Sequence, residues 1–310
     1  MEQVTAEFAV PGESTRRRSQ ATSGFGTTDA LLVLMAVIWG VNFSVAKLGA
    51  AAFPPLAFNA TRVTLATIIL LSICFLGGYQ WPSRSDLRKL LLLGVIGNCV
   101  YQVFFIEAIS RTRAGNVAIV MASTPAWLAL IGRMRGTDHV GRRAMLGIAA
   151  SLAGIALVIL SGSGSGQGGA SLGGDALALA ACISWATYTV LLKPLTHRTD
   201  ALVISTVTLA GGAVPLSLIA IPDLRRTHWS AVPLAGWGAV LYCSILAMVV
   251  AYLFWYRGLR VFGPTRTAMY ANLQPIIALI VAGVMIGETP TIWQGVGAAS
   301  IMTGLFLTRS

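Results

Sequence analysis

The chain has 310 residues, of which 55% are hydrophobic and 11% charged, against roughly 25% charged in an ordinary soluble domain. So few charges cannot hydrate a globular surface of this size, which excludes the soluble enzyme classes, and the mean hydropathy of +0.75 points to a polytopic membrane protein. The net charge of +11 is read as basic residues collected in cytoplasmic loops, not as a nucleic-acid surface.

Residues 1–28 read as a polar cytoplasmic tail carrying Arg16-Arg17-Arg18, too poor in apolar residues to fold alone. The apolar stretch from Leu31 to Ala52 is too long for the core of a signal peptide and is expected to remain as the first membrane helix. Ten apolar runs lie at about 29–50, 55–78, 87–109, 114–134, 141–161, 175–194, 200–221, 233–257, 264–286 and 290–308. Turn residues separate them, as at Pro54-Pro55, Gly77-Gly78 and Gly287-Glu288-Thr289-Pro290. Gly164, Gly166 and Gly169 match GxGxxG. They stand between two membrane helices without the strand a dinucleotide fold requires, so residues 162–174 read as an external Gly/Ser linker. Cys74, Cys99, Cys182 and Cys243 fall inside apolar runs and read as packing residues.

Orientation follows from Lys and Arg placement. With the N-terminus inside, sixteen of the 22 basic residues fall on the cytoplasmic side and five outside, and Arg62 lies within a helix. Both termini are therefore expected in the cytoplasm, although Arg111 and Arg113 break the pattern locally.

The chain repeats itself. Asp29, Ala30, Leu31, Trp39 and Lys47 match Asp175, Ala176, Leu177, Trp185 and Lys193 at an offset of 146. Further along the offset is 150, pairing Ala118 with Ala268, Pro125 with Pro275, Asp138 with Glu288, Gly147 with Gly297 and Gly154 with Gly304. Five helices per repeat is an odd number, so the second half must enter the membrane inverted. The expected fold is all-α and transmembrane: two inverted five-helix repeats, 29–161 and 175–308, around a central cavity. Inverted repeats of this kind build secondary transporters with the substrate site near midplane.

The residues that carry this pattern also resemble a known family. They are the Trp39-Gly40 and Ser184-Trp185 helices, Arg62 after Pro54-Pro55, the Asn116–Pro125 segment, Gly263-Pro264 to Pro275, and Gly287-Glu288 before Gly297 to Gly304. Over residues 29–308 the chain resembles the EamA family of the drug/metabolite transporter superfamily, which includes amino-acid exporters. The resemblance implies ten helices, a central cavity and efflux of small metabolites. It departs at Gly136-Thr137-Asp138, where the family has a Gly-Glu turn.

Polar groups inside apolar helices are costly unless paired or facing water. Asn98, Tyr101, Gln102 and Phe105 share one face of the third helix, and Trp39 and Asn42 share one of the first. Trp185 and Tyr188 occupy the equivalent positions in the second half. Tyr252, Trp255 and Tyr256 stand on the eighth helix, and Asn272 and Gln274 beside Pro275. Together they are expected to line a cavity for a small zwitterionic or aromatic solute, with Trp39 and Trp185 on opposite walls. The alternative is interhelical hydrogen bonding and interface aromatics. Arg62 is expected to form a structural ion pair with Glu107, against the alternatives of snorkelling outward or meeting a substrate carboxylate. Pro125 and Pro275 are expected to kink their helices. The stripes Gly147/Ser151/Gly154 and Gly297/Ile301/Gly304 read as close helix packing. A monomer in lipid is expected, a dimer through these stripes being the weaker reading.

Catalysis finds little support: His139, His197 and His228 lie in loops, and HExxH, GxSxG and phosphate-loop motifs are missing. No catalytic residue, metal, cofactor or nucleic-acid partner is expected. A phosphate-ester or nucleotide-sugar exchanger would favour several intramembrane cations, where this chain has Arg62 alone. A membrane enzyme on lipid-linked substrates would need paired carboxylates or a His/Asp cluster at one interface.

Overall fold

The computed structural model describes residues 26–136, 141–162 and 171–308. The Arg16-Arg17-Arg18 tail, Thr137-Asp138 and the body of the Gly-rich linker lie outside the described residues. In chain order the helical segments are α1 (Thr27–Ala52), α2 (Pro55–Leu76), α3 (Arg84–Arg111), α4 (Ala114–Met134), α5 (Arg142–Gly162), α6 (Leu172–Leu195), α7 (Ala201–Ile219), α8 (Leu234–Gly263), α9 (Arg266–Ile286) and α10 (Ile292–Thr308). Eight of them, all but α5 and α10, are long and apolar enough to cross a membrane. The described residues contain no β-strand.

The breaks have local causes. Pro55 takes the first position of α2, where its missing N–H costs nothing. Asp200 caps α7 by accepting from the Leu202 N–H at 2.8 Å. Gly287 ends α9 in the left-handed region (φ 69°), and Gly263 separates α8 from α9 at φ 78°, conformations that a side chain would strain.

The two halves interlock with a two-fold pattern. First-half α1 packs on α9, and its counterpart α6 packs on α4. Likewise α3 packs on α7 and α2 on α8, while the last helices of the halves, α5 and α10, pack on each other. That last contact explains the glycine stripes: a Cβ at Gly304 would lie 2.3 Å from the Gly147 carbonyl oxygen, and one at Gly154 2.8 Å from that of Gly297. The stripes thus face each other within the chain, at backbone-to-backbone distance.

Inversion is visible at Asp29 and Asp175, the same position of the repeat. Asp175 accepts from Thr112 Oγ1 at 2.7 Å and from Asn116 Nδ2 at 3.2 Å. Asp29 accepts from the Tyr270 hydroxyl and from Arg266 Nη2 at 3.4 Å. Arg266 is the repeat equivalent of Asn116, so one contact is built twice. The two copies lie at opposite ends of the molecule, because Thr112, bonded to Asp175, also meets Lys47 at the far end of α1.

Candidate functional site

The cavity grows out of these interlocked helices. α4 and α9 are each interrupted, at Ala122-Ser123 and at Asn272-Leu273. The turns place Met121 and Thr124 in one half, and Ala271 and Gln274 in the other, at the cavity wall. Pro125 and Pro275 sit in the first turn after each interruption. This corrects the expectation of prolines kinking a continuous helix. The residue starts a second half-helix, where a missing N–H is tolerated. α3 and α8 each contain π-helical turns, Ile96–Val100 and Tyr242–Val250, and resume α geometry at the equivalent residues Tyr101 and Ala251. The widened turns rotate the following residues relative to an unbroken helix.

The space between these elements is a partly open cavity of about 60 Å³. Trp39, Asn42, Tyr101, Gln102, Phe105, Trp185, Tyr252, Trp255 and Gln274 line it, as do Phe43 and Arg62. The indole of Trp39 meets that of Trp185 edge to face, with centroids 6.0 Å apart and planes at 87°. The two do not face each other across the cavity as expected; the rings are in contact with each other, in an arrangement favoured by the ring quadrupoles. Trp255 lies 5.6 Å from Trp39 and 5.9 Å from Trp185, and Tyr101 5.0 Å from Trp185, so the aromatics form one continuous wall. Trp39 Nε1 donates to the Ala247 carbonyl at 2.9 Å, which fixes its ring.

Three expected lining residues sit behind the wall. Asn98 is fully buried and accepts from the Tyr252 hydroxyl at 3.4 Å. Tyr188 is fully buried with its hydroxyl 2.7 Å from that of Tyr256. Asn272 is buried on the turn that interrupts α9. All three stand outside the lining, and Asn98 Nδ2 and Asn272 Oδ1 are buried without a hydrogen-bond partner.

The expected Arg62–Glu107 ion pair does not form. Arg62 Nε donates to Asn59 Oδ1 at 2.9 Å and its Nη2 to Gln102 Oε1 at 2.8 Å, while Glu107 pairs with Arg111 one helical turn on. An i,i+4 partner lies on the same helix face and needs no tertiary fit. Arg62 is 1% exposed, with its guanidinium 5.4 Å from the Phe58 ring and 5.6 Å from the Phe105 ring. Two buried polar atoms of the lining have no partner, Asn42 Oδ1 and Trp255 Nε1.

The Lys47 end carries a dense polar network. Lys47 Nζ donates to Glu288 Oε1 at 2.8 Å and to the Thr112 carbonyl at 2.7 Å. Glu288 also accepts from the Ala114 and Gly115 N–H groups at the start of α4, at 3.2 and 3.4 Å. Gln294 Nε2 donates to Asn116 Oδ1 at 2.7 Å, which ties in α10. At the Asp29 end Arg266 is itself half exposed.

Sequence reasoning missed Phe43, Met121, Thr124, Ala247, Met248, Ala268 and Ala271 as lining residues. The repeat carried a usable signal for one of them: at offset 150, Thr124 is the equivalent of Gln274.

Known proteins agree with this architecture. The sequence signature of the EamA-like transporter family matches twice, at residues 26–160 and 172–310. The "Uncharacterized transporter YyaM" of Bacillus subtilis (strain 168) is 28% identical over 286 residues, covering 90% of this chain and 92% of that protein. A "Probable amino-acid metabolite efflux pump" of Salmonella typhimurium is 26% identical over 287 residues, covering 89% of this chain and 93% of the pump. The "Uncharacterized inner membrane transporter YedA" of Escherichia coli (strain K12) is 27% identical over 263 residues, covering 83% and 82%. A solved crystal structure superposes with a TM-score of 0.64 at 19% identity, covering 89% of this chain and 94% of that one, which shows a shared fold. With both halves matched, the chain belongs to the EamA-like transporter family and is a multi-pass membrane transporter.

Proposed function

We propose that the protein is a secondary transporter of the inner membrane that exports amino acids or related small metabolites by alternating access. The observation that carries this reading is the aromatic cavity at the meeting of two inverted repeats. The continuous indole and phenol wall supplies apolar contact to a solute body, and the amides of Asn42 and Gln274 supply hydrogen bonds. The doubled contact, Asp175 with Asn116 at one end and Asp29 with Arg266 at the other, is formed at both ends in this structure, and in alternating access each would open in turn. Making one contact and releasing its twin is the move that an inverted repeat permits. The efflux-pump and inner-membrane names of the relatives support the direction and the compartment.

Purified protein in liposomes loaded with a panel of proteinogenic amino acids is expected to speed efflux of an apolar or aromatic member over empty liposomes. Efflux no faster than that of protein-free liposomes across the panel would reject the reading.

The same reading places both termini in the cytoplasm and the Lys47 end outside. Ser110 and Ser83 are exposed at opposite ends of α3. In cells, Ser110→Cys is expected to react with an impermeant maleimide added from outside, and Ser83→Cys only after the membrane is opened. Reversal of the two labels overturns the orientation.

A further inference from the structure

Arg62 is a permanent cation held in the cavity wall by neutral groups alone. Its Nε and Nη2 donate to the amide oxygens of Asn59 and Gln102, and two aromatic rings flank its plane. Among the described residues, none of the ion pairs includes it. A guanidinium has five donors in a planar fork; the two amides take one each, and the Cys243 sulfur engages the fork as a third neutral partner. Burying such a charge without an anion is costly. Snorkelling is excluded too, because the side chain is 1% exposed and stands at the cavity.

The rest of the lining contains no Asp or Glu. A solute ammonium therefore meets no opposite charge there. One lining acceptor is neutral and open, Asn42 Oδ1, buried and without a partner; an amide oxygen accepts from a hydroxyl as well as from an ammonium, so it does not require the charge.

We infer that Arg62 is the carboxylate anchor of the transport site, and that its solute class is the monoanionic acid with an apolar body, the amino group being dispensable. This rests on the proposed function and narrows it. Asn59 and Gln102 are positioning residues: they orient the fork and leave its remaining donors for a carboxylate, which binds two of them in parallel. Gln102 is steadied in turn, its Nε2 donating to the Tyr252 hydroxyl at 3.4 Å. An amide in place of the carboxylate leaves the guanidinium uncompensated. An amine without a carboxylate brings a second cation beside the first.

The test is a ligand series on the purified protein, read by quenching of the cavity tryptophans and by liposome efflux. The series is phenylalanine, 3-phenyllactate, phenylalaninamide and phenethylamine, with the matching leucine set. The hydroxy acid is expected to bind within about three-fold of the amino acid, and the amide and amine about ten- to a hundred-fold more weakly, the worth of a hydrogen bond to a charged group. Arg62→Met is expected to erase the preference for acids; it removes a buried charge but leaves the Asn59 and Gln102 amide oxygens without their donor, so the melting temperature is read beside binding to establish that the variant is folded. Equal binding of acid and amide, loss of the hydroxy acid by ten-fold or more, or an intact acid preference in Arg62→Met overturns the inference. If Arg62→Met does not fold, the series on the unchanged protein decides alone. Efflux of amino acid and amide at equal rates sinks the anchor and leaves the transporter reading standing. Neither binding nor efflux of any member sinks both.

Discussion

Trp185→Ala is expected to cut efflux per folded molecule about thirty- to a hundred-and-fifty-fold, from the loss of roughly 2–3 kcal/mol of apolar contact with the solute. Trp185 lines the cavity at the hub of its aromatic wall, with rings of Trp39, Tyr101, Tyr188, Tyr252 and Trp255 all within 6.0 Å. It is 5% exposed, so truncation also loosens the wall. The stability cost should stay below the ~3–5 kcal/mol of a tryptophan deleted from a closed core, because one face already borders empty space. Trp185→Phe separates the two effects. It keeps a ring against Tyr101 and Tyr188 but shortens the reach into the cavity, so the melting temperature should recover more than efflux does. Efflux, folded yield and melting temperature are measured on the same preparations. Unchanged efflux per folded molecule in Trp185→Ala would make this indole a packing residue only.

What the sequence made legible was the repeat and whatever lies close along the chain. Trp39 with Trp185 and Pro125 with Pro275 stand in register, and inversion follows from an odd helix count. Faces were legible as well: Tyr101, Gln102 and Phe105 share a helix face and share the cavity wall. Depth was not. Asn98 lies on that same face one turn earlier, and Tyr188 one turn after Trp185, yet both end up behind the wall. The π-helical turn Ile96–Val100 ends just before Tyr101, and a period of 3.6 does not foresee such a turn. The partners of Arg62 and Glu107 were illegible for a different reason: two charges in apolar runs suggest an ion pair, whereas each finds a partner along its own helix, Glu107 in Arg111 and Arg62 in Asn59. Long-range pairs such as Lys47 with Glu288, 241 residues apart, follow only from the packed fold.

Gly211→Val is expected to have the largest effect on folding. Residues 211 and 212 of α7 run against α3 with backbone meeting backbone. A Cβ at Gly211 would stand 2.3 Å from the Leu91 carbonyl oxygen and 2.8 Å from its Cα, and one at Gly212 2.4 Å from the carbonyl carbon of Asn98. From the other side, a Cβ at Gly94 would stand 2.1 Å from the Thr208 carbonyl oxygen. No rotamer change relieves these contacts, because the obstructing atoms belong to the partner helix itself, so α3 and α7 must separate. Overpacking costs about 1–3 kcal/mol where side chains can yield; against rigid backbone we expect at least the upper end. That lowers the melting temperature by about 5–10 °C and reduces the folded fraction. The damage should reach the cavity, because α3 also carries Tyr101, Gln102 and Phe105. Gly238→Ala serves as the control. That position lies on α8 with open space around the added carbon, and its melting temperature should match or exceed that of the unchanged protein, since alanine favours the helix by about 1 kcal/mol over glycine. Detergent-solubilised variants followed by thermal unfolding and size-exclusion yield decide between the two positions. Equal stability of Gly211→Val and Gly238→Ala would show that α3 and α7 are not held together at backbone contact.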